Sequence, residues 1–173
     1  MKKVLVATAV AALLVAPAGL QAQGVSIGPA VGYHGEADLG VGAFVSIPLE
    51  NVNENLAFNA SFGYFFPSGA TVGTTEVDLD YFEINGDLVY RIGDDLDLVP
   101  FVLGGLNIAR ISGGVSVDGI GSVSASDTEI GLNVGGGVSF PQESVTPSVG
   151  AKFEIGGGED FMLFFSLGIP IGS

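Results

Sequence analysis

His34 is the only histidine of the chain, and it is the first side chain to consider for chemistry because a neutral imidazole is a general base near neutral pH. Hydrolysis of a lipid ester would also require a serine nucleophile beside it and an acid to orient it. His34 begins the stretch HGEA, residues 34–37, which predicts a tight turn and has no adjacent serine. We interpret it as a loop histidine and predict no catalytic residue, with a lipid-modifying hydrolase as the alternative.

Charged side chains that alternate with small residues form a second candidate set. If they were enclosed by protein they would have to pair, because a lone buried charge is costly. The predicted role is therefore a structural charge network, and an ion path is the alternative. The expected pairs are Lys152 with Glu129 or Glu154, and Arg91 with Glu83 or Asp87.

Two short acidic runs could attract cations, because carboxylate oxygens bind Ca²⁺ and Mg²⁺. Neither run has the spacing of a defined calcium loop, so solvated charge is the favoured interpretation, with divalent cations as candidate partners at the acidic loops. No cofactor site or metal site is predicted. The runs are Glu76, Asp78 and Asp80, and Asp94, Asp95 and Asp97.

The composition is apolar, glycine-rich and acidic. Of 173 residues, 47% are hydrophobic, only 14% are charged and 28 are glycine, and there is no cysteine, which excludes disulfides and thiolate metal sites. Nineteen acidic residues face five basic ones, two of which are Lys2 and Lys3 at the N-terminus. A nucleic-acid-binding function is excluded because no basic patch can form.

The first 22 residues have the pattern of a secretory signal. MKKVLVATAVAALLVAPAGLQA begins with two lysines, continues with small and aliphatic residues and ends with small ones. Its apolar run is too short to cross a bilayer, which takes about 20 residues as a helix. We predict a cleavable signal peptide over residues 1–22 and a single domain over residues 23–173.

The rest of the chain consists of segments in which apolar and small residues alternate with the period of a β-strand. IGLNVGGGVSF, residues 130–140, is typical: Ile130, Leu132 and Val134 lie on one face, and the other face carries only Gly, Asn and Ser. Turn-forming stretches separate the segments, which predicts an antiparallel meander of eight strands. The segments are 25–33, 39–47, 56–66, 77–92, 98–108, 130–140, 148–155 and 161–169.

Whether the protein is a soluble barrel or a membrane barrel depends on which way the face of small residues points. A soluble lipocalin-like barrel, the other alternative, would have its apolar face inside and a charged coat outside. Gly, Ala, Ser and Asn make a poor solvent coat, but they suit the narrow interior of an eight-stranded barrel. The apolar face carries no charge, as a lipid-facing surface requires. The pattern therefore predicts an all-β, eight-stranded antiparallel up-and-down transmembrane barrel.

The lengths of the connections support this topology, because membrane barrels have short periplasmic turns and longer outer loops. With a periplasmic N-terminus, the outer loops are 34–37, 67–76, 112–126 and 156–160, and the longest connections fall outside. Aromatic residues near the strand ends are predicted to lie at the membrane interfaces. They are Tyr33, Tyr64, Phe66, Tyr81, Phe140 and Phe161.

Two stretches resemble the small outer-membrane β-barrels of the OmpA/OmpX type: PFVLGGLNIA, residues 100–109, and GLNVGGGVSF, residues 131–140. The resemblance covers residues 23–173. It implies insertion by the barrel-assembly machinery and a structural or adhesive role at the cell surface. Together with the residue pattern, we expect a non-enzymatic, monomeric barrel in outer-membrane lipids, with a lumen plugged by side chains and a role in envelope structure or surface contact.

Overall fold

A computed structural model describes residues 24–35, 38–67, 70–72, 75–93, 97–117, 121–156 and 160–171. The predicted signal peptide, residues 1–22, lies outside these ranges. In the part of the chain that is described, no helix is long and apolar enough to cross a bilayer.

The described residues form antiparallel strands that follow one another along the chain. Strands β1 to β3 and β5 to β9 are the walls of a barrel, and β4 is a three-residue strand beside β5. The bounds are β1 Ser26–His34, β2 Asp38–Pro48, β3 Leu56–Phe65, β4 Ala70–Val72, β5 Thr75–Arg91, β6 Val99–Val117, β7 Gly121–Ser139, β8 Thr146–Ile155 and β9 Asp160–Pro170.

The sheet closes on itself. Each wall strand pairs antiparallel with its neighbours in sequence, β1 pairs with β9, and β3 pairs with β5, so the barrel itself has no free edge. Closure satisfies the backbone hydrogen bonds of the strands within the barrel, which is the condition for strands to cross hydrocarbon. The predicted eight-stranded up-and-down barrel is confirmed.

The two ends of the barrel differ. Both described chain ends and the connections 49–55, 92–98 and 140–145 lie at one end, which we call the terminal end. The connections after β1, β3, β6 and β8 lie at the other, which we call the loop end.

The faces of the wall have the predicted orientation. Large apolar side chains point outward and are exposed, whereas the alternate small and polar residues point into the barrel. A soluble lipocalin-like barrel would have the reverse arrangement, so that alternative is wrong. Representative outward side chains are Val31, Val41, Ile84, Leu88, Val102, Leu106, Leu132, Val134, Phe153, Leu163 and Phe165.

Strands β6 and β7 continue well past the barrel wall. Their pairing runs without interruption to Val117 and Gly121, whereas β8 pairs with β7 only from Leu132 onward. The predicted outer loop 112–126 is therefore wrong, because most of it is a β-hairpin that projects from the loop end. Its alternating Val and Ser residues pair across the two strands and satisfy the backbone, which its glycines had obscured.

The apolar residues of β5 change from one face of the strand to the other, from Leu79 and Tyr81 to Phe82, Ile84 and Leu88. Such a change predicts either a bulge or a strand that extends beyond the membrane. The pairing of β5 with β6 is continuous from Thr75 to Arg91, so the strand contains no bulge. Leu79 lies two residues from Tyr81 and therefore has the same inward parity, which means that it is on the face of the strand that points into the barrel. It lies beyond the wall, however, and is exposed. The sequence pattern changes there because the strand outgrows the barrel.

The interior of the barrel has three layers, stacked from the loop end to the terminal end. The inward residues of β5 pass through the layers in this order. A cap of Phe65, Tyr81 and Ala109, with Met162 against it, lies toward the loop end. Polar side chains occupy the middle. A second apolar cluster lies toward the terminal end and contains Val89, Phe101, Leu103 and Phe164.

Gly40 shows why the interior needs small residues. A Cβ at this position would lie 2.5–2.8 Å from three carbons of the Phe65 ring, which is fully enclosed. We expect Gly40→Val to lower the free energy of unfolding by about 1–3 kcal/mol through overpacking, measured by urea unfolding in detergent micelles. Gly114→Val is the matched control, because an added Cβ there meets no atom within 4 Å. Equal stability of the two variants would contradict this packing.

Candidate functional site

Polar side chains from five strands meet in the middle layer of the barrel. We call this set the lumen network. Every member is buried among the described residues, and each strand contributes residues of inward parity. The members are His34 on β1, Glu83, Asn85 and Asp87 on β5, Asn107 on β6, Asn133 on β7, and Lys152 and Glu154 on β8.

The register of the strands brings these residues to one depth. Asn85 pairs with Asn107 across β5 and β6, and Asn133 pairs with Glu154 across β7 and β8. Because the barrel is closed, side chains from opposite walls also meet in its narrow interior. Hydrogen bonds across the interior therefore join residues that are 46 to 120 positions apart in the sequence.

Lys152 is the cation of the network. Its Nζ lies 2.6 Å from Glu154 Oε1 and 3.5 Å from Glu83 Oε2. It also donates a hydrogen bond of 2.9 Å to Asn85 Oδ1. One ammonium group therefore joins two carboxylates from opposite parts of the wall, which satisfies the requirement that buried charges be paired.

The asparagines connect the remaining oxygens. Asn133 Nδ2 donates to Asn85 Oδ1 and to Asp87 Oδ1, both at 2.9 Å. Asn107 Nδ2 donates to Glu154 Oε2 at 3.1 Å. Amide groups supply hydrogen-bond donors without adding charge, so they stabilise the buried carboxylates.

His34 lies at the loop-end side of the network. Its Nδ1 is 2.7 Å from Asp160 Oδ2, and its Nε2 is 3.3 Å from Glu83 Oε1 and 3.5 Å from Glu154 Oε2. The hydroxyl of Tyr81 is 3.3 Å from the same Nε2 and donates to Glu83 Oε1 at 3.0 Å. The imidazole is thus surrounded by three carboxylates and a phenol.

The interpretation of His34 as a loop residue is wrong. It is the last residue of β1, and only 3% of it is exposed. The signal was present in the sequence, because His34 continues the inward parity of Gly28, Ala30 and Gly32. Gly35 and the adjacent acid favoured a turn, which begins one residue later.

The structure places Glu83, Asp87, Lys152 and Glu154 of the predicted charge network together in the lumen, and Lys152 contacts Glu154. The lumen network also contains Asn85, Asn107 and Asn133, which a pattern of charged residues does not reveal because amides carry no charge.

Arg91 and Glu129 lie outside the network, so the pairs predicted for them are corrected. Both have inward parity, but both are exposed because they lie near or beyond the ends of the wall. Arg91 is at the terminal end, where its Nη2 donates to the carbonyl oxygen of Glu54 at 2.8 Å. Glu129 lies on the part of β7 that pairs with β6 but not with β8.

The predicted interface aromatics separate into two groups. Tyr33, Phe66 and Phe140 are exposed, and Phe161 packs against Phe153 with ring centroids 5.1 Å apart. Tyr81 is a correction, because it points inward and caps the lumen network.

Tyr64 is half-buried on the outer face near the loop end. It donates to Asp80 Oδ1 at 2.6 Å and packs against Phe66.

The two predicted acidic runs are described only in part. In the first run the structure describes the side chain of Asp80, and in the second it describes that of Asp97, which is exposed. Asp94 and Asp95 lie outside the described residues.

A cavity of about 520 Å³ opens from the terminal end of the barrel. Its floor is the apolar layer that separates it from the lumen network. Its walls combine phenyl rings with serine hydroxyls, and Arg91 lies at its rim. The lining residues include Phe44, Phe101, Phe164, Ser46, Ser148 and Ser166.

Solved structures show the same architecture. The N-terminal β-barrel domain of Pseudomonas aeruginosa OprF is 16% identical, with a TM-score of 0.63 over 85% of this chain and 98% of that one. Neisserial surface protein A is 16% identical, with a TM-score of 0.62 over 85% and 96%. A major outer membrane protein from Thermus thermophilus is 12% identical, with a TM-score of 0.67 over 84% and 97%.

Similarity at this level of identity shows the fold. No curated protein gives a significant match to the sequence. The model of the outer membrane protein beta-barrel domain family, in contrast, matches residues 4–162, which is most of the chain. The outward apolar face, the closed wall and this match agree, so the chain belongs to the outer membrane protein beta-barrel domain family and is a barrel of the bacterial outer membrane.

Proposed function

We propose that this protein is a non-enzymatic, monomeric component of the outer membrane whose barrel is closed by the lumen network. The observation that carries the proposal is the burial of that network: Glu83 has an exposed fraction of 0% and Asn133 of 1%. Buried side chains joined by hydrogen bonds across the barrel leave little room for a water-filled path. An eight-stranded barrel is just wide enough for side chains to fill it.

A role as a lipid-modifying hydrolase has less support. In the described part of the chain, the polar atoms within reach of His34 belong to Glu83, Glu154, Asp160 and Tyr81, and none of them is a serine hydroxyl. The imidazole is also enclosed in the lumen rather than at a lipid-facing rim. A lipid ester could not reach it without the wall opening.

The proposed role is mechanical and organisational: the barrel occupies the membrane, and the β6–β7 hairpin extends beyond it on the loop-end side. At a rise of about 3.3 Å per residue, the ten residues from Gly121 to Ile130 reach about 30 Å along the strand. With the N-terminus periplasmic, that hairpin is the surface available for contact outside the cell. We expect export through the signal peptide and insertion by the barrel-assembly machinery.

Conductance across a planar lipid bilayer tests the closed barrel. We expect purified, folded protein to produce no stable stepwise currents, because the lumen network blocks the interior. Folding is checked first by electrophoresis without boiling, where a folded barrel migrates differently from the boiled chain. Stable unitary currents from the folded form would refute the closed lumen and favour the ion path.

A further inference from the structure

Three side chains of the lumen network converge on one point. His34, Glu83 and Glu154 each offer one ligand atom, and these three atoms lie within 4.8 Å of one another. The oxygens that face His34 Nε2 are Glu83 Oε1 and Glu154 Oε2. Two of the separations are 3.3 Å and 3.5 Å, both measured from Nε2. The three residues come from β1, β5 and β8, so the closed wall holds the donors in place.

The two separations from Nε2 fit a tetrahedral metal ion. Zinc binds nitrogen at about 2.0–2.1 Å and carboxylate oxygen at about 2.0–2.2 Å, so neighbouring ligand atoms around it are roughly 3.3–3.5 Å apart. The Tyr81 hydroxyl lies 3.3 Å from Nε2 and 3.0 Å from Glu83 Oε1, at the position of a fourth ligand or of a partner for a bound water.

Asp160 is not one of the three donor residues, but its contact with His34 also favours a metal ion. Its Oδ2 is 2.7 Å from His34 Nδ1. When a metal ion takes the lone pair of Nε2, the proton of the neutral imidazole is on Nδ1, beside this carboxylate. Metal-ligating histidines almost always have such a partner on the other ring nitrogen. Nε2 faces two carboxylate oxygens at 3.3 Å and 3.5 Å, an arrangement that requires either a proton on Nε2 or a metal ion between the three atoms.

The other contacts of the glutamates orient them toward this point. Lys152 Nζ contacts Glu154 Oε1 and Glu83 Oε2, which turns the remaining oxygen of each toward His34. Asn107 Nδ2 donates to Glu154 Oε2, as expected for a metal-ligating carboxylate that is itself hydrogen-bonded.

The charge balance also favours a cation. Four carboxylates, those of Glu83, Asp87, Glu154 and Asp160, lie in or beside the network, where the basic groups are one lysine and the imidazole of His34. Buried charges are paired or coordinate metals, because desolvating them alone is costly. A mixed imidazole and carboxylate donor set suits zinc and similar transition-metal ions better than calcium or magnesium.

We propose that His34, Glu83 and Glu154 bind a divalent transition-metal ion inside the barrel, with zinc as the type ion and Asp160 as the positioning residue. Asp160 is on the loop-end side, and 15% of its side chain is exposed, so the ion enters from that end. This inference goes beyond the proposed closed barrel and does not depend on whether the barrel conducts.

Zinc titration of the detergent-folded, metal-stripped chain tests the site, with a chromophoric chelator as competitor. We expect one Zn²⁺ per chain, bound in the micromolar range or more tightly, and no comparable binding of Mg²⁺ or Ca²⁺. Co²⁺ should give the visible absorption of a four-coordinate ion. Absence of saturable zinc binding by the wild-type chain, or a six-coordinate cobalt spectrum, would overturn the proposal.

The variants separate this site from exposed carboxylates. His34→Asn should abolish stoichiometric binding, and Asp160→Asn should weaken it by about 10–100-fold. Glu129→Gln is the matched control, because Glu129 is an exposed acid at the loop end, and it should bind zinc as the wild type does. Each variant is first shown to be folded by its migration in electrophoresis without boiling. Folded His34→Asn with unchanged affinity would place the zinc elsewhere and refute the assignment.

Discussion

Lys152→Met should lower the free energy of unfolding of the barrel by about 3–5 kcal/mol, which is the usual consequence of removing one partner from a buried ion pair. The ammonium group contacts Glu154 at 2.6 Å and Glu83 at 3.5 Å, and both carboxylates are buried. Methionine fills a similar volume but leaves both glutamates without their shared counter-ion. The change in the free energy of unfolding is measured by urea unfolding in lipid vesicles. Electrophoresis without boiling reports the folded fraction at each urea concentration.

Arg110→Met is the matched control for this variant. Arg110 is an exposed cation on the projecting part of β6, where its Nη2 donates to Ser126 Oγ at 3.2 Å. Its loss should change the free energy of unfolding by less than about 0.5 kcal/mol. The double variant Lys152→Met/Glu154→Gln should recover part of the lost stability, because one uncompensated charge is removed. If Lys152→Met were as mild as Arg110→Met, the lumen charges would not stabilise the fold as a pair.

Leu106→Arg should destabilise the barrel by about 2–4 kcal/mol, because it places a charge on the lipid face near the middle of the membrane. Leu106 points outward, is 57% exposed, and pairs with Gly86 and Leu132 in the central part of the wall. Unfolding in lipid vesicles gives the free energy directly, whereas detergent micelles reproduce the hydrocarbon layer less well.

Val123→Arg is the matched substitution for Leu106→Arg. Val123 is 77% exposed and pairs with Val115, on the hairpin beyond the wall. Near or outside the interface the same change costs about 0–1 kcal/mol. A large difference between the two variants would support the wall as the membrane-spanning segment. Equal effects would mean that Leu106 does not face lipid.

The sequence alone determined which face of each strand points inward. Successive side chains of a strand lie on opposite faces, so parity assigns every residue to one side as soon as one residue is assigned. The stretch 130–140 shows this, because its small residues point inward and Leu132 and Val134 are exposed. The same parity places His34 inside, although the nearby Gly35 favoured a turn.

The ends of the strands could not be read in the same way. Residues 112–126 are rich in Gly and Ser, which have weak intrinsic preference for strands. Residues 112–117 and 121–126 form part of a hairpin because each pairs with a partner on the other strand, as Ser112 does with Ser126. Pairing across strands is a property of two segments, and neither segment shows it by itself.

Parity was also insufficient to decide which charges meet. Glu154 lies two residues from Lys152 on the same face of one strand, so this pair could be predicted. Glu83 is 69 residues from Lys152 and reaches it only because the sheet closes. Arg91 and Glu129 have the same inward parity, but they lie near or beyond the ends of the wall and remain exposed. The sequence therefore determined the side of the sheet, and the tertiary structure decided the depth, because depth depends on register and closure, which involve all eight wall strands at once.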